Sequence, residues 1–346
     1  MNRKNFLQTG AALSGLFLPF QSAQANDPLP GEEELAHILP AHLKKGDKIG
    51  ITAPAGYITE KEIQPAVDKL TEWGFVPVIG STIGKRDFTF GGTDAERAAD
   101  FQQMLDSPAL KAILSARGGY GMVRIIDRLN FSLFVDHPKW VIGFSDITVI
   151  HTHLNRNYGI ASIHSKMCNS FPDDWSKAEQ VQIDSINSIR DALSGVKMQY
   201  SVPGSSFNRT GTATGTLVGG NLKTIESLSG SKSDLKTAGK LLFVEDTGEY
   251  LYSIDRMFWN LKRTGKLDQL AGLIVGGFKV KVDDPGEDFG KTVQDIVLEK
   301  IKGFKYPVCF DFPVGHQKLN MALKCGVKHR LSITDTEVTL KEVASA

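Results

Sequence analysis

The stretch that decides the fold is Lys139-Trp140-Val141-Ile142-Gly143-Phe144-Ser145-Asp146-Ile147-Thr148. An apolar run that closes on a small residue, a serine and an acid, with helix-like sequence directly after it, predicts a buried strand turning sharply into a helix. Open α/β sheets place their ligands at the carboxyl ends of such strands. Ser145 stands at that end and is a candidate nucleophile. Read alone, the segment has a second meaning, with Ser145 or Asp146 as the N-cap of a helix over 147–155.

Outward from this stretch, strands are predicted at 48–53, 75–79, 112–115 and 160–163. Helices are predicted at 60–73, from Thr93 onward and at 122–129. Thr93 and Glu96 have the spacing of a capping box. The alternation implies a mostly parallel sheet with helices on both faces, an N-terminal α/β domain over 47–167 that carries Ser145. A polar inter-domain crossover follows over 168–210, with a helix at 178–193. The C-terminal domain, 211–346, is predicted to be mixed α/β. It has a strand at 240–244 ending at Glu245, a helix at 253–264 and a strand at 272–278. An apolar run at 307–312 stops at Pro313-Val314-Gly315-His316. Alternation at 330–334 and 337–340 around Asp335 predicts a closing hairpin.

A chain of 346 residues, 41% hydrophobic and 23% charged, is long enough for the two domains this pattern calls for. Residues 1–25 read as an export signal: Arg3 and Lys4, an apolar run over 6–20, and Ala23-Gln24-Ala25 as a small-x-small cleavage site. Cleavage before Asn26 leaves a polar lead-in over 26–46. Asn2-Arg3-Lys4-Asn5-Phe6-Leu7-Gln8 resembles a twin-arginine signal with lysine at the second basic position. The expectation is a soluble exported protein, in the periplasm, with no membrane span after processing. Losing Arg3 and Lys4 takes the formal net charge from +1 to −1, which gives no reason to expect nucleic acid or an anionic membrane as partner. Cys168, Cys309 and Cys325 are too few and odd in number for a disulfide framework.

Three predicted strand ends offer chemically able groups: Ser145, Glu245 and His316. A hydroxyl attacks only when a base takes its proton; imidazole can do so, and a carboxylate fixes the imidazole tautomer. Singly, each has a duller reading, Glu245 as an ion-pair partner and His316 as a loop histidine. The strand–turn–helix nucleophile elbow has glycine two residues after its serine, and here Ile147 stands in that place. Arg117-Gly118-Gly119-Tyr120-Gly121 lets backbone N–H groups approach a ligand closely. With the N–H of Asp146, one of these amides can form an oxyanion hole. Neither this loop nor Gly219-Gly220-Asn221 matches a phosphate-binding fingerprint. His151 and His153 lie two apart on a helix and face different ways, so no metal is expected, and no cofactor is implied. His164 follows a strand close to the site or packs beneath it.

Jointly, Ala-Arg-Gly-Gly-Tyr-Gly at 116–121, Gly-Phe-Ser-Asp at 143–146, Gly-Gly-Asn-Leu at 219–222, Phe-Val-Glu-Asp-Thr-Gly-Glu at 243–249 and Pro-Val-Gly-His at 313–316 resemble the serine LD-carboxypeptidases, a family that includes the microcin C self-immunity peptidases. The resemblance covers the chain from about Asp47 and implies a two-domain fold. It further implies Ser145 as nucleophile, Glu245 as orienting carboxylate, His316 as general base and acid, and Asp146 with Gly118 or Gly119 as oxyanion donors. Family members typically release the terminal D-alanine of murein tetrapeptide and are commonly homodimers. A peptidoglycan-derived peptide is therefore the expected substrate. Arg117 and Lys166 are candidate partners for its carboxylate, on charge and placement. Two alternatives stand beside this reading: an exported peptidase or amidase acting on a non-murein peptide or conjugate, and a non-catalytic periplasmic binding protein.

Overall fold

The structure, a computed structural model, describes residue 35 and residues 37–343; the export signal expected over 1–25 lies outside the described residues. The first half contains β1 (Lys48–Thr52), α1 (Glu60–Glu72), β2 (Val76–Ile79), α2 (Asp94–Asp106), β3 (Leu110–Ser115), α3 (Met122–Ile125) and α4 (Ser132–Asp136). It continues with β4 (Trp140–Gly143), α5 (Thr148–Tyr158) and β5 (Ser162–His164). Next come α6 (Gln180–Leu193), β6 (Gln199–Pro203), β7 (Gly211–Asn221), α7 (Leu222–Ser227), β8 (Leu241–Glu249) and α8 (Leu251–Arg263). The chain closes with β9 (Gly272–Val280), α9 (Val293–Lys300), β10 (Val308–Cys309), β11 (Leu323–Cys325), β12 (Lys328–Ile333) and β13 (Glu337–Glu342).

Two sheets result. The first runs β11-β5-β4-β3-β1-β2, and its strands β1 to β5 are parallel. The order 2-1-3-4-5 places a topological switch between β1 and β3, the kind of position at which open α/β sheets commonly bind ligands. All four residues of β4 are buried, as a strand covered on both faces requires. The second sheet runs β10-β9-β8-β7-β12-β13-β6, parallel from β7 to β10 and antiparallel from β12 to β6. The fold is the expected mixed α/β one, with a mostly parallel sheet and a mixed sheet that contains the β12–β13 hairpin and ends on β6.

Local chemistry accounts for the element boundaries. Thr59 with Glu62 and Thr93 with Glu96 both close reciprocal capping boxes at the starts of α1 and α2. Gly159, at φ +65°, ends α5 in the left-handed conformation that glycine adopts without strain. The two sheets share one core, in which Trp140, Ile142 and Ile163 of the first meet Leu241, Phe243 and Ile274 of the second. Phe243 is fully buried there, and its truncation to alanine would cost about 3–5 kcal/mol.

Two features depart from the sequence reading. The strand expected to stop at 244 runs on to Glu249, because a register shift between Val244 and Asp246 keeps β8 paired with β9. And β11, from the far end of the chain, returns to the first sheet as an antiparallel edge against β5. Among the described residues no helix is long and apolar enough to cross a membrane.

Candidate active site

β4 ends at Gly143, and Ser145 opens a single 3-10 turn, Ser145–Ile147, that leads straight into α5. Ser145 has φ +63°, a conformation that costs a side-chain-bearing residue about 1–3 kcal/mol and persists only where its surroundings enforce it. Here they do. A Cβ on Gly143 would stand 2.9 Å from Ile147 Cγ1, so glycine is what lets the turn fold back on the strand. The Gly143 carbonyl accepts from His151 Nε2 at 2.9 Å, which leaves Nδ1 to accept from Ser162 Oγ at 2.8 Å. Burial lowers the His151 pKa to about 4, so this bracket is neutral.

The same helix locks the two sheets together. Asn221 N–H donates to Thr148 Oγ1 at 3.0 Å, and a Cβ on Gly220 would fall 2.4 Å from that oxygen. Gly219-Gly220-Asn221 is thus the seat on which α5 rests. Asn221 in turn pairs with Glu245 in the parallel ladder of β7 and β8. The seat ties the Ser145 turn to the strand that carries the carboxylate.

Glu245 is not at a strand end, as expected, but at the register shift within β8. Bulges re-aim side chains next to sites, and this one turns Glu245 into the interior. Its Oε2 accepts from His316 Nδ1 at 2.6 Å and from the His316 backbone N–H at 3.1 Å. Gly315, at φ +103°, makes room: a Cβ there would lie 2.4 Å from Glu245 Cβ and 2.6 Å from Oε2. The neighbouring carboxylates are otherwise engaged. Asp246 accepts from the N–H groups of Lys223 and Thr247, with burial raising its pKa to about 6, and Glu249 accepts from Ser253 Oγ.

His316 meets the Ser145 turn through Phe144, whose ring centroid lies 4.8 Å from that of the imidazole. Among the described residues no hydrogen bond joins Ser145 Oγ to His316; in hydrolases without substrate such bonds are commonly long and tighten on binding. Gly118 abuts the serine, since a Cβ on it would stand 3.2 Å from Ser145 Cβ. The Gly118 carbonyl accepts from Gly56 N–H at 2.9 Å, and because a trans peptide points its C=O and N–H in opposite directions, the Gly119 N–H is turned away from Gly56. Among the described residues the N–H groups of Gly118, Gly119 and Asp146 have no backbone acceptor. The Asp146 side chain has a job of its own: Oδ2 accepts from Met122 N–H at 2.7 Å, and burial raises its pKa to about 6.

The remaining candidates divide. Lys166 is half-buried, and its Nζ donates to the carbonyl of Gln317, one residue past His316, at 2.8 Å. Burial lowers its pKa, while the Glu245 charge works the other way. Arg117 is exposed and donates to the Tyr57 carbonyl at 3.1 Å, on the rim of the glycine loop. His164 is fully buried between Phe144 and Phe243, at centroid distances of 5.8 and 5.0 Å, and burial holds its pKa well below the usual value. His153 bonds Ser233 Oγ at 2.9 Å, away from His151. Among the described residues no group of three or more His, Cys, Asp or Glu is arranged to hold a metal ion, and all three cysteines are free and buried. No local signal in the sequence marks the roles that Gly315 and the Asp146 carboxylate take here. Only the close approach of Gly315 to a residue 70 positions away reveals its role.

Comparison with known proteins agrees with this architecture. Residues 49–165 match the model of the LD-carboxypeptidase N-terminal domain, and residues 214–331 that of the LD-carboxypeptidase C-terminal domain. The chain is 31% identical over 309 residues to the probable murein peptide carboxypeptidase of Bacillus subtilis, covering 87% of this chain and 94% of that protein. It is 26% identical to the microcin C7 self-immunity protein MccF of Escherichia coli, over 88% of this chain and 96% of that one. A solved muramoyltetrapeptide carboxypeptidase from Oxalobacter formigenes superposes with a TM-score of 0.76 at 26% identity, covering 86% of this chain and 99% of that chain.

Proposed function

The chain belongs to the LD-carboxypeptidase family, and on that premise we propose that it is a serine enzyme that releases the terminal D-alanine of murein tetrapeptide through an acyl-enzyme. Family membership makes it a carboxypeptidase and sets aside the non-catalytic binding protein. The observation that carries the serine mechanism is the double contact of Glu245 with His316, whose ring packs on Phe144 beside a strained serine turn flanked by backbone N–H groups without backbone acceptors among the described residues.

In this reading His316 Nε2 takes the Ser145 hydroxyl proton as Oγ attacks the carbonyl carbon of the L-centre of diaminopimelate. The carbonyl electron pair moves to oxygen, where the N–H of Asp146 and an amide of Gly118 or Gly119 receive it. Collapse breaks the C–N bond, and the proton held by His316 goes to the departing amine of D-alanine. Water then repeats the sequence: His316 removes its proton, the hydroxyl adds to the ester, and Ser145 leaves as its alcohol. Glu245, bonded to Nδ1–H, keeps Nε2 free to accept in each half-reaction and faces the imidazolium when it forms.

The second reading, an exported family member acting on a non-murein peptide or peptide conjugate, is favoured by the resemblance to the microcin C7 self-immunity protein. We place the enzyme in the periplasm on the strength of the basic start, apolar run and Ala-Gln-Ala of residues 1–25, and propose a homodimer, as is common in the family. Incubation with a defined murein tetrapeptide, followed by mass spectrometry, tests the central claim. Tripeptide and free D-alanine are expected, and none of either from Ser145→Ala; an intact tetrapeptide with the unsubstituted protein would overturn it.

A further inference from the structure

Arg97, on α2, is fully buried, an unusual place for a guanidinium unless its donors are all employed. They reach three separate loops. Nη1 donates to the Pro54 carbonyl at 2.6 Å, in the turn after β1, and to the Gly121 carbonyl at 2.9 Å, at the end of the glycine loop. Nε donates to the Gly92 carbonyl at 3.2 Å, ahead of α2, and Nη2 pairs with Asp94. Cζ stands 4.8 Å from the centroid of the Phe90 ring, which itself packs against Tyr120 of the glycine loop at 5.9 Å.

The contact with Gly121 acquires meaning from what holds the other end of the same peptide. Met122 N–H donates to Asp146 Oδ2 at 2.7 Å, and Asp146 directly follows Ser145. One peptide group is therefore gripped from both sides, its carbonyl by Arg97 and its N–H by the residue after the nucleophile. The other end of the loop is fixed by Gly118 O on Gly56 N–H, in the turn whose Pro54 carbonyl Arg97 also holds. Gly121, at φ +147°, leaves no slack, since a Cβ there would stand 2.7 Å from Arg97 Nη1.

We propose that Arg97 is a positioning residue that fixes the loop 118–121 against the Ser145 turn, so that the loop amide meets the oxyanion at bonding distance. The inference rests on the serine reading above. It assigns Arg97 no contact with substrate: the residue acts through the Pro54 and Gly121 carbonyls. Because an oxyanion donor works only at about 2.7–3.1 Å from where the charge develops, and misplacement by about 1 Å can cost 100-fold, loosening the loop should lower turnover and leave binding largely alone.

The test is steady-state kinetics of the full chain carrying Arg97→Lys or Arg97→Gln on the tetrapeptide. Active serines are counted with a fluorophosphonate label, so that rates are expressed per competent site. The expected result is a fall in kcat of about 10- to 100-fold for Arg97→Gln with KM within about 2-fold, and a smaller fall for Arg97→Lys, which keeps the charge but loses the fork. A folded Arg97→Gln with kcat per labelled serine unchanged, or with KM alone raised, would overturn the proposal. If Arg97→Gln does not fold, Arg97→Lys and Gly121→Ala, which presses on the same joint from the loop side, decide by the same split. Failure of the unsubstituted protein to cleave the tetrapeptide or to label Ser145 would bring down the serine reading and this inference with it; undiminished turnover in the variants sinks this inference alone.

Discussion

Glu245 Oε2 holds His316 at two points, the ring Nδ1 at 2.6 Å and the backbone N–H at 3.1 Å, so one buried oxygen sets both the tautomer of the imidazole and the position of the loop that bears it. Among the described residues the second oxygen, Oε1, is buried without a partner. Glu245→Gln can keep its carbonyl toward His316 only by placing an NH2 group where Oε1 has no acceptor, at a cost of about 1–3 kcal/mol. Turned the other way, the NH2 faces the His316 backbone N–H and donates to Nδ1, which puts the ring proton on Nε2 and removes the base. We expect the variant to fold with reduced stability, to bind tetrapeptide normally and to lose kcat by roughly 10⁴-fold, as tautomer-breaking changes do in other triads. Single-turnover kinetics check it, and a wild-type rate would remove Glu245 from the mechanism. Asp246→Asn, on a residue bonded to Lys223 and Thr247 N–H groups, should leave the rate far closer to normal.

Gly315→Ala probes the same contact from outside. A methyl group there would sit 2.4 Å from Glu245 Cβ, on a backbone at φ +103°. The glutamate must move or the loop must shift, and either separates Glu245 from His316. The expected outcome is a loss of activity of at least about 100-fold and a stability loss of about 1–3 kcal/mol. Gly286→Ala, with nothing within 4 Å but a φ of +82°, controls for the backbone effect alone and should retain activity. Equal rates for the two variants would show that the glycine's close approach is unimportant.

Periodicity made most of this fold legible: the helix around Ile63, Val67 and Leu70, the buried run of β4 and the alternation of β12 and β13 are local patterns with local causes. Ser145 was legible because an apolar strand ran into a helix with no room between. The misreadings have long-range causes. Asp246-Thr247-Gly248 looks like a turn, yet the strand survives as β8 by shifting register against β9, and that shift is what aims Glu245. Leu323-Lys324-Cys325 is too short to announce a strand, and its partner β5 lies in the first half of the chain. Gly219-Gly220-Asn221 carries no phosphate-binding fingerprint; its use as a seat for Thr148 depends on a contact 73 residues away in sequence. A charged residue within a helix reads as solvent-facing, so nothing local set Arg97 apart.

Lys166 was a candidate for gripping the substrate carboxylate. Its bond to the Gln317 carbonyl gives it a second way to matter, by steadying the His316 loop. The two roles separate kinetically. Lys166→Met, which keeps most of the packing, should lower kcat by about 10-fold with little change in KM if loop support dominates, and raise KM at constant kcat if carboxylate binding does. We expect the first, since the observed bond is to the loop. Initial rates over a range of tetrapeptide concentrations decide.

The response of stability to acid can be worked out from the buried titratable groups, beginning with one away from the chemistry. His329, on β12, is fully buried, with Nδ1 bonded to the Val327 carbonyl at 2.9 Å, and burial lowers its pKa to about 4. Below the ordinary histidine value near 6.5 the unfolded chain takes up a proton that the folded one refuses, so stability falls as pH drops from about 6.5 toward 4. Buried His151, also lowered to about 4, contributes in the same direction. Asp146 and Asp246 oppose it: raised to about 6, they bind protons more readily when folded, which favours the fold as pH falls from about 6 toward 4. His164, held well below the usual value, adds a further acid loss, so the histidines prevail and the net trend is destabilisation. Between pH 7 and pH 5 His329 alone should account for about 2 kcal/mol. His329→Gln cannot take up that proton, so its thermal midpoint should fall less over this interval than that of the unsubstituted protein, with tetrapeptide turnover at pH 7 preserved. Thermal unfolding at the two pH values measures the difference; equal falls in both proteins would mean that His329 already titrates in the fold as it does in the unfolded chain.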